Sequence, residues 1–394
     1  MNSDPFPLVK IGTLLERVNN PVDVDGTTLY QQIGIRSHGK GLFNKPPILG
    51  TELGEKRVFW IEPDCFIVNI VFAWEQAVGR TTQADRGKIA SHRFPMFRPK
   101  AGKSDVDFIS YLFKTHHGKE LLALASPGGA GRNKTLGQNE FLKIKVRAPS
   151  FPEQKRIAEI LSTWDTAIGV QERLIANART QKKALMQTLL TGKKRLPGFE
   201  GDWKTVTLGA CTKSHDNRRV PLSSDQRAGI HGEIPYYGAN GIVGYVNNYL
   251  FDETVVLLAE DGGYFDEYAT RPIAQLVRGK SWVNNHAHVI TNKPNASIDW
   301  IYYSLVHRNI LEFINGGTRA KLNKSDMLKI PMPLPELAEQ RAICVLFEGI
   351  DKLILHHIQN KNIARLEKSA LMQQLLTGKR RVKLSNEEPS LCPS

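Results

Sequence analysis

A chain of 394 residues, 41% hydrophobic and 23% charged, has room for two or three well-packed domains of ordinary soluble composition. No run of about 18 apolar residues is present, and Met1-Asn2-Ser3-Asp4-Pro5 lacks the basic and apolar regions of a signal peptide, so a cytoplasmic location and no membrane partner are expected. A formal net charge of +14 favours a polyanionic partner, while four scattered cysteines (Cys65, Cys211, Cys344 and Cys392) without a C-x-x-C pair point to a reducing compartment and no metal site.

Residues 1–148 form a first globular segment. Arg57–Ile61 and Cys65–Trp74, rich in β-branched and aromatic residues, are expected as strands, and Asp107–Phe113 as a short helix. Gly-rich loops surround them, including Ser37-His38-Gly39-Lys40-Gly41 and Pro127–Arg132. Residues 149–195 follow as one long helix. In it Ile157, Leu161, Trp164, Ile168, Ile175, Ala178, Leu185 and Leu189 recur at spacings of three and four, interrupted by Gln171 and Lys182. A second globular segment, residues 196–334, carries an expected strand at Thr254–Ala259 and a helix at Asp299–Leu305. Residues 335–382 return to a long helix, with Ile343, Phe347, Ile350, Ile354, Ala364, Leu371 and Leu375 on the stripe and His357, Lys361 and Lys368 interrupting it. Residues 383–394 read as a polar tail.

The two helices are one sequence written twice. Glu153-Gln154-Lys155-Arg156-Ile157 is matched by Glu339-Gln340-Arg341-Ala342-Ile343, and Leu190-Thr191-Gly192-Lys193 by Leu376-Thr377-Gly378-Lys379. The offset is 186 at both ends (339 minus 153, 378 minus 192), so the copies align without a gap. Each ends at a glycine able to take the left-handed C-cap conformation, with cations beyond it to suit the carbonyl end. At 1.5 Å per residue, about 40 residues make a rod of roughly 60 Å, and the simplest partner for each apolar stripe is the other copy. The repeat extends into the globular segments: Pro149 and Pro335 stand ahead of the helices, and Leu142-Lys143-Ile144 corresponds to Leu328-Lys329-Ile330.

Proline followed by Glu-Gln-x-x-Ile, the helix ending in Leu-Leu-Thr-Gly-Lys, and Leu196-Pro197-Gly198-Phe199-Glu200-Gly201-Asp202-Trp203 at the head of the second domain resemble the specificity subunits of type I restriction–modification systems. Ile234-Pro235-Tyr236-Tyr237-Gly238-Ala239-Asn240-Gly241 and the loop Gly316–Asp326 add to the resemblance, which covers nearly the whole chain. In the first domain, Gly131–Gln138 departs from the Leu-Asn-Lys-Ser pattern of the second. The resemblance implies an α+β chain with pseudo-twofold internal repeat: two target-recognition domains alternating with two long helices that pair as an antiparallel coiled coil. Each domain would read one half of a split target in double-stranded DNA. It further implies modification subunits that methylate adenine, two by the symmetry of the rod, with motor–nuclease (restriction) subunits as a further possible partner in a bacterial or archaeal cell. S-adenosylmethionine, ATP and Mg would then sit on those subunits and none on this chain.

Catalytic motifs are incomplete. Asn44-Lys45-Pro46-Pro47 has the wrong spacing for an adenine methyltransferase, Gly279-Lys280-Ser281 lacks the first glycine of a phosphate loop at Ala274, and Pro63-Asp64 with Glu75-Gln76-Ala77 lacks the lysine of a nuclease triad. A DNA enzyme with fused recognition domains is therefore the weaker reading, and no catalytic residue is assigned. DNA contact needs cations and backbone amides for phosphates, and Arg, Lys, Asn or Gln for base edges. Candidates in the first domain are Arg36, His38 and Lys40, then His92 and Arg93, then Arg132, Asn133 and Lys134. In the second they are Tyr236, Tyr237 and Asn240; Arg278, Lys280, Trp282, Asn284 and His286 as a strand and loop; and Thr318, Arg319 and Lys321. For Tyr236, Tyr237 and Asn240 the alternative is packing and turn roles, and for the other groups it is an ordinary solvated turn or strand face.

Overall fold

The computed structural model describes residues 6–128, 134–316 and 320–384. It divides into two compact units, one of Met1–Gln171 with Gln359–Ser394 and the other of Glu172–Ile358. Each unit thus joins one globular domain to one end of each long helix.

In the first unit a four-stranded antiparallel sheet has the order Leu15–Val18, Met96–Pro99, Phe66–Val68, Val78–Arg80. Helix Val106–Lys114 packs on it, its apolar side chains making a core with Phe66, Phe97 and Phe141. Asp105 caps this helix by accepting from the Phe108 N–H. The second unit repeats the sheet with Thr212–Ser214, Ala287–Asn292, Val255–Ala259 and Ala274–Val277 in the same order. Helix Ile298–Leu305 packs there, capped by Ser297. The chain ends of the two domains also match: Leu8–Lys10 pairs with Lys145–Arg147, and Lys204–Thr207 with Pro331–Leu334. A second sheet in the second unit runs Gly241–Val246, Ile234–Gly238, Lys280–Val283, Phe251–Asp252, with its central pair parallel.

The long helices are Phe151–Leu189 and Leu337–Leu375. Every stripe residue expected from the sequence is buried or half-buried, from Ile157 and Leu161 to Leu371 and Leu375. In the first unit Glu153 meets Arg381 and, further along, Asp165 meets Lys368. In the second, Glu339 meets Arg195 and Asp351 meets Lys182. Numbers rise along one helix as they fall along the other, so the pairing is antiparallel in each unit. Regular helix ends just before the Thr-Gly-Lys motif, and Gly192 and Gly378 take the left-handed conformation at φ 72° and 75°. The Lys194 and Arg380 N–H groups then turn back to the carbonyls of Thr188 and Gln374.

One expected strand needs correction. Cys65–Trp74 is extended only over Phe66–Val68. Asn69 then accepts the Val71 N–H on its own side chain, an Asx turn that breaks the strand, and Ala73–Glu75 coils into a 3-10 turn. The β-branched run Ile70-Val71 is overridden by one local side-chain bond.

Candidate nucleic-acid interface

In the first domain the Asn69–Gln76 turn is the hub on which the candidate loops converge. The His38 and Gly39 N–H groups donate to the carbonyls of Glu75 and Gln76, at 2.7 and 2.8 Å. The Ile70 N–H donates to the Arg93 carbonyl, and Ile70 in turn accepts from the Leu136 N–H. His38 holds a left-handed backbone (φ 61°), uncommon for a residue with a Cβ, and this turns the loop between exposed Arg36 and Lys40. Arg36 lies 4.6 Å over the Phe43 ring, Lys134 5.9 Å over Trp74, and His92 and Arg93 are exposed. The structure therefore brings the Arg36–Lys40, His92–Arg93 and Lys134 groups to one place. Arg132 and Asn133 lie outside the described residues.

In the second domain the corresponding hub is Glu260–Gly262. The Leu322 N–H donates to the Glu260 carbonyl, as Leu136 does to Ile70, and the Glu260 N–H donates to the His286 carbonyl. Asn240 donates through Nδ2 to the Gly262 carbonyl at 2.8 Å, and the His286 ring meets Asp261 at 2.5 Å. Asn240, His286 and Lys321 are thus gathered, whereas Thr318 and Arg319 lie outside the described residues. On the neighbouring sheet Lys280 is exposed over Tyr249, Trp282 donates to the Val220 carbonyl, and Arg278 pairs with Asp299 at 2.6 Å.

Beneath the second hub lies a charged brace that sequence reasoning missed. His288, 1% exposed, directs Nδ1 at Asp216 (2.7 Å) and Nε2 at the Leu322 carbonyl (2.9 Å). Arg219 binds Glu260 at 2.6 Å, and Lys321 reaches the same carboxylate at 3.2 Å. Burial opposes ionisation of Asp216, but the His288 hydrogen bond and charge hold its carboxyl below the ordinary value. Asp216, Glu260 and His288 have ligand atoms close enough for a metal, yet the Arg219 and Lys321 cations already balance the carboxylates. The group fixes the strand carrying Lys321 from below.

Tyr236 and Asn284 are corrected from surface candidates to interior residues. Tyr236 is 2% exposed, because its position on Ile234–Gly238 faces the core, and its hydroxyl accepts from the Leu222 N–H. Asn284 is buried and accepts the His286 N–H, shaping the turn that presents His286. Tyr237 is half-buried, packed with Phe251 and Val255.

What holds each domain to the helices is the twice-written motif itself. Gln154 accepts from the N–H of the helix cap Asp105 and donates to the carbonyls of Lys103 and Pro149. Gln340 does the same with Ser297, Asn295 and Pro335. Glu153, 3% exposed, takes a two-pronged bond from Arg381 at 2.7 Å on each oxygen, and Glu339, 1% exposed, takes one from Arg195. The glycine three residues before each arginine comes close to an aromatic ring, Gly378 to Phe6 and Gly192 to Trp203, where a side chain would crowd the ring. Lys368 and Lys182, polar interruptions of the apolar stripe, pair with Asp165 and Asp351 and lie over Tyr111 and Tyr303. The tyrosine hydroxyls donate to the same aspartates at 2.7 and 2.9 Å. Burial first, then the aspartate, pushes both phenols well above their ordinary value, so they stay neutral donors. Tyr111→Phe and Tyr303→Phe should each lower unfolding stability by about 1 kcal/mol, less than the usual bond to a charged group because the aspartates are half-exposed. Urea unfolding of the purified chain checks this, and no change for either variant would remove the tyrosines from the joint.

Among the described residues no helix is long and apolar enough to cross a membrane. The family profile described as the type I restriction modification DNA specificity domain matches residues 62–178 and 200–368. A putative type I restriction enzyme specificity subunit of Haemophilus influenzae is 36% identical over 162 residues, 41% of this chain and 40% of that protein. The putative MjaX specificity subunit of Methanocaldococcus jannaschii is 27% identical over 312 residues, 73% of this chain and 71% of that protein. Among solved structures, the type I restriction-modification S subunit from M. genitalium shares the fold with a TM-score of 0.65 at 13% identity, covering 98% of this chain and 99% of that one. A chain from a study of assembly of the type I R-M system gives 0.57 at 16% identity, covering 96% and 99%. With one block of the profile on each repeat, the chain belongs to the family of type I restriction–modification specificity subunits.

Proposed function

We propose that the chain is the non-catalytic DNA-recognition subunit of a cytoplasmic restriction–modification complex, each domain reading one half of a bipartite target. The observation that carries this is the repeated joint. The same Gln, Glu–Arg and Asp–Tyr–Lys bonds fix two domains whose exposed loops differ, so one scaffold presents two distinct basic surfaces. Modification subunits, two in number, dock along the helices. In support, the second long helix exposes Val345, Leu353, Leu355, Ile363 and Leu366 outside its paired stripe, apolar surface that a lone soluble helix would not keep. S-adenosylmethionine, ATP and Mg belong to those partners and to any motor–nuclease subunits.

The test is binding of duplex DNA by the chain purified with its modification subunit, measured across salt concentrations. Log affinity should fall linearly and steeply with log salt. Lys280→Ala should reduce the slope by about one and weaken binding across sequences, as loss of one phosphate contact requires. A flat salt response, or saturation at one modification subunit per chain, would overturn the corresponding part of the reading.

A further inference from the structure

The Asn69–Gln76 turn borders an open cleft of about 300 Å³ in the first domain, a size that suits a small planar ligand. Its apolar lining is aromatic: Phe43, Phe72 and Phe94, with Phe72 36% exposed. Gly34 makes room for the Phe43 ring, which would collide with any side chain at that position. Arg36 stands over Phe43, and Lys45 lies 5.8 Å from the centre of the Phe94 ring. Beside Ser37 and Lys45, two further polar side chains, Asn69 and Glu75, line the same cleft. Glu75 accepts from the Ser37 hydroxyl on Oε2 at 2.9 Å, while its Oε1 has no partner among the described residues. Asn69, only 8% exposed, spends Oδ1 on the Val71 N–H, and its Nδ2 has no partner among the described residues.

An aromatic slot rimmed by cations, with a spare amide donor and a spare carboxylate acceptor on its wall, matches a nucleobase. The Watson–Crick edge of every base sets a donor next to an acceptor, and phenylalanine rings stack on base faces that a paired duplex hides. We propose that this cleft takes one unstacked base of the bound DNA, with Asn69 Nδ2 donating to the base and Glu75 Oε1 accepting from it. The order of these two groups along the cleft separates amino bases (adenine, cytosine) from keto bases (guanine, thymine), whose donor and acceptor are reversed. The inference rests on the DNA-reading role assigned above and adds to it a base taken out of the stack by a subunit that does no chemistry on it.

The experiment uses the full chain with its modification subunits and a set of duplexes varied one base pair at a time. Wild-type protein should show one position in the first domain's half-site where a mismatch opposite the preferred base tightens binding, because the cost of unpairing is already met. Asn69→Asp with Glu75→Gln reverses donor and acceptor but keeps the Val71 and Ser37 bonds. It should exchange the amino and keto classes at that position by roughly tenfold, the weight of one paired base contact. The other half-site should be unchanged. Should the double variant fold poorly by circular dichroism, Phe72→Ala, at an exposed site, carries the test by losing the mismatch effect. DNA binding with unchanged preference in the variants, or mismatches that weaken binding at every position, would overturn the base cleft alone. Absence of duplex binding by the wild-type complex would overturn the DNA-reading role and the cleft with it.

Discussion

A chain truncated after Leu196 should assemble as a twofold dimer, with twice the chain mass by sedimentation equilibrium. The first domain is finished by a segment far away in sequence. Leu375 and Leu376 are 2% exposed in its core, with Leu371, Met372 and Val382 packed beside them. The truncated chain lacks these residues but carries Leu185, Met186, Leu189, Leu190 and Leu196 at the same offset of 186 (371 minus 185, 382 minus 196). Arg195 would replace Arg381 on Glu153, and Lys182 would replace Lys368 on Asp165, each supplied by the other copy. Burying a leucine side chain stabilises by about 1.5–3 kcal/mol, so two of them approach the net stability of a domain. A monomer leaving that surface open should not persist. Arg195→Glu in the truncated chain sets a carboxylate against buried Glu153 and should abolish the dimer. With the modification subunit present, the dimer should select an inverted repeat of the first half-site. A folded monomer at micromolar concentration would mean that the far end of the second helix is dispensable.

The repeat was legible because hydrophobic spacing and a fixed offset are properties of sequence order, and both helices stand where that spacing puts them. The purpose of the motif was not. Glu153 finds its partner 228 residues away, and nothing local distinguishes it from the solvated glutamates around it. Lys182 and Lys368 look like flaws in an apolar stripe until the second partners, Tyr303 and Tyr111, arrive from another element. Loop candidates fared unevenly for the same reason. Arg36, Lys40 and Arg93 are exposed as their charge demands, and His92 is exposed with them, but tyrosine and asparagine suit core and surface alike, so Tyr236 and Asn284 could be placed only by knowing which face of the sheet they occupy. Asn69 carried a usable signal: a turn-forming side chain inside a β-branched run, two residues before the N–H it accepts.

If the helix pair sets the spacing of the two half-sites, adding four residues to each helix should widen the unread gap in the DNA by one or two base pairs. Four residues add about 6 Å to a helix, against a rise of about 3.4 Å per base pair. The insertions belong at Gln171 in the first helix and at Lys361 in the second, away from the Asp165–Lys368 and Asp351–Lys182 bonds that hold the domains. Both helices must be lengthened, since an insertion in one alone would slide Ile175 and Ala178 off Ile354. Four residues also turn one end by roughly 40° relative to the stripe, at 3.6 residues per turn, so affinity should fall. The bases recognised on either side should stay the same, because every bond within each recognition domain is untouched. Sequencing methylated sites in cells that carry the lengthened subunit with its modification partner reads gap and half-sites together. A gap that does not move, or half-sites that change identity, would show that spacing is set elsewhere than in the helices.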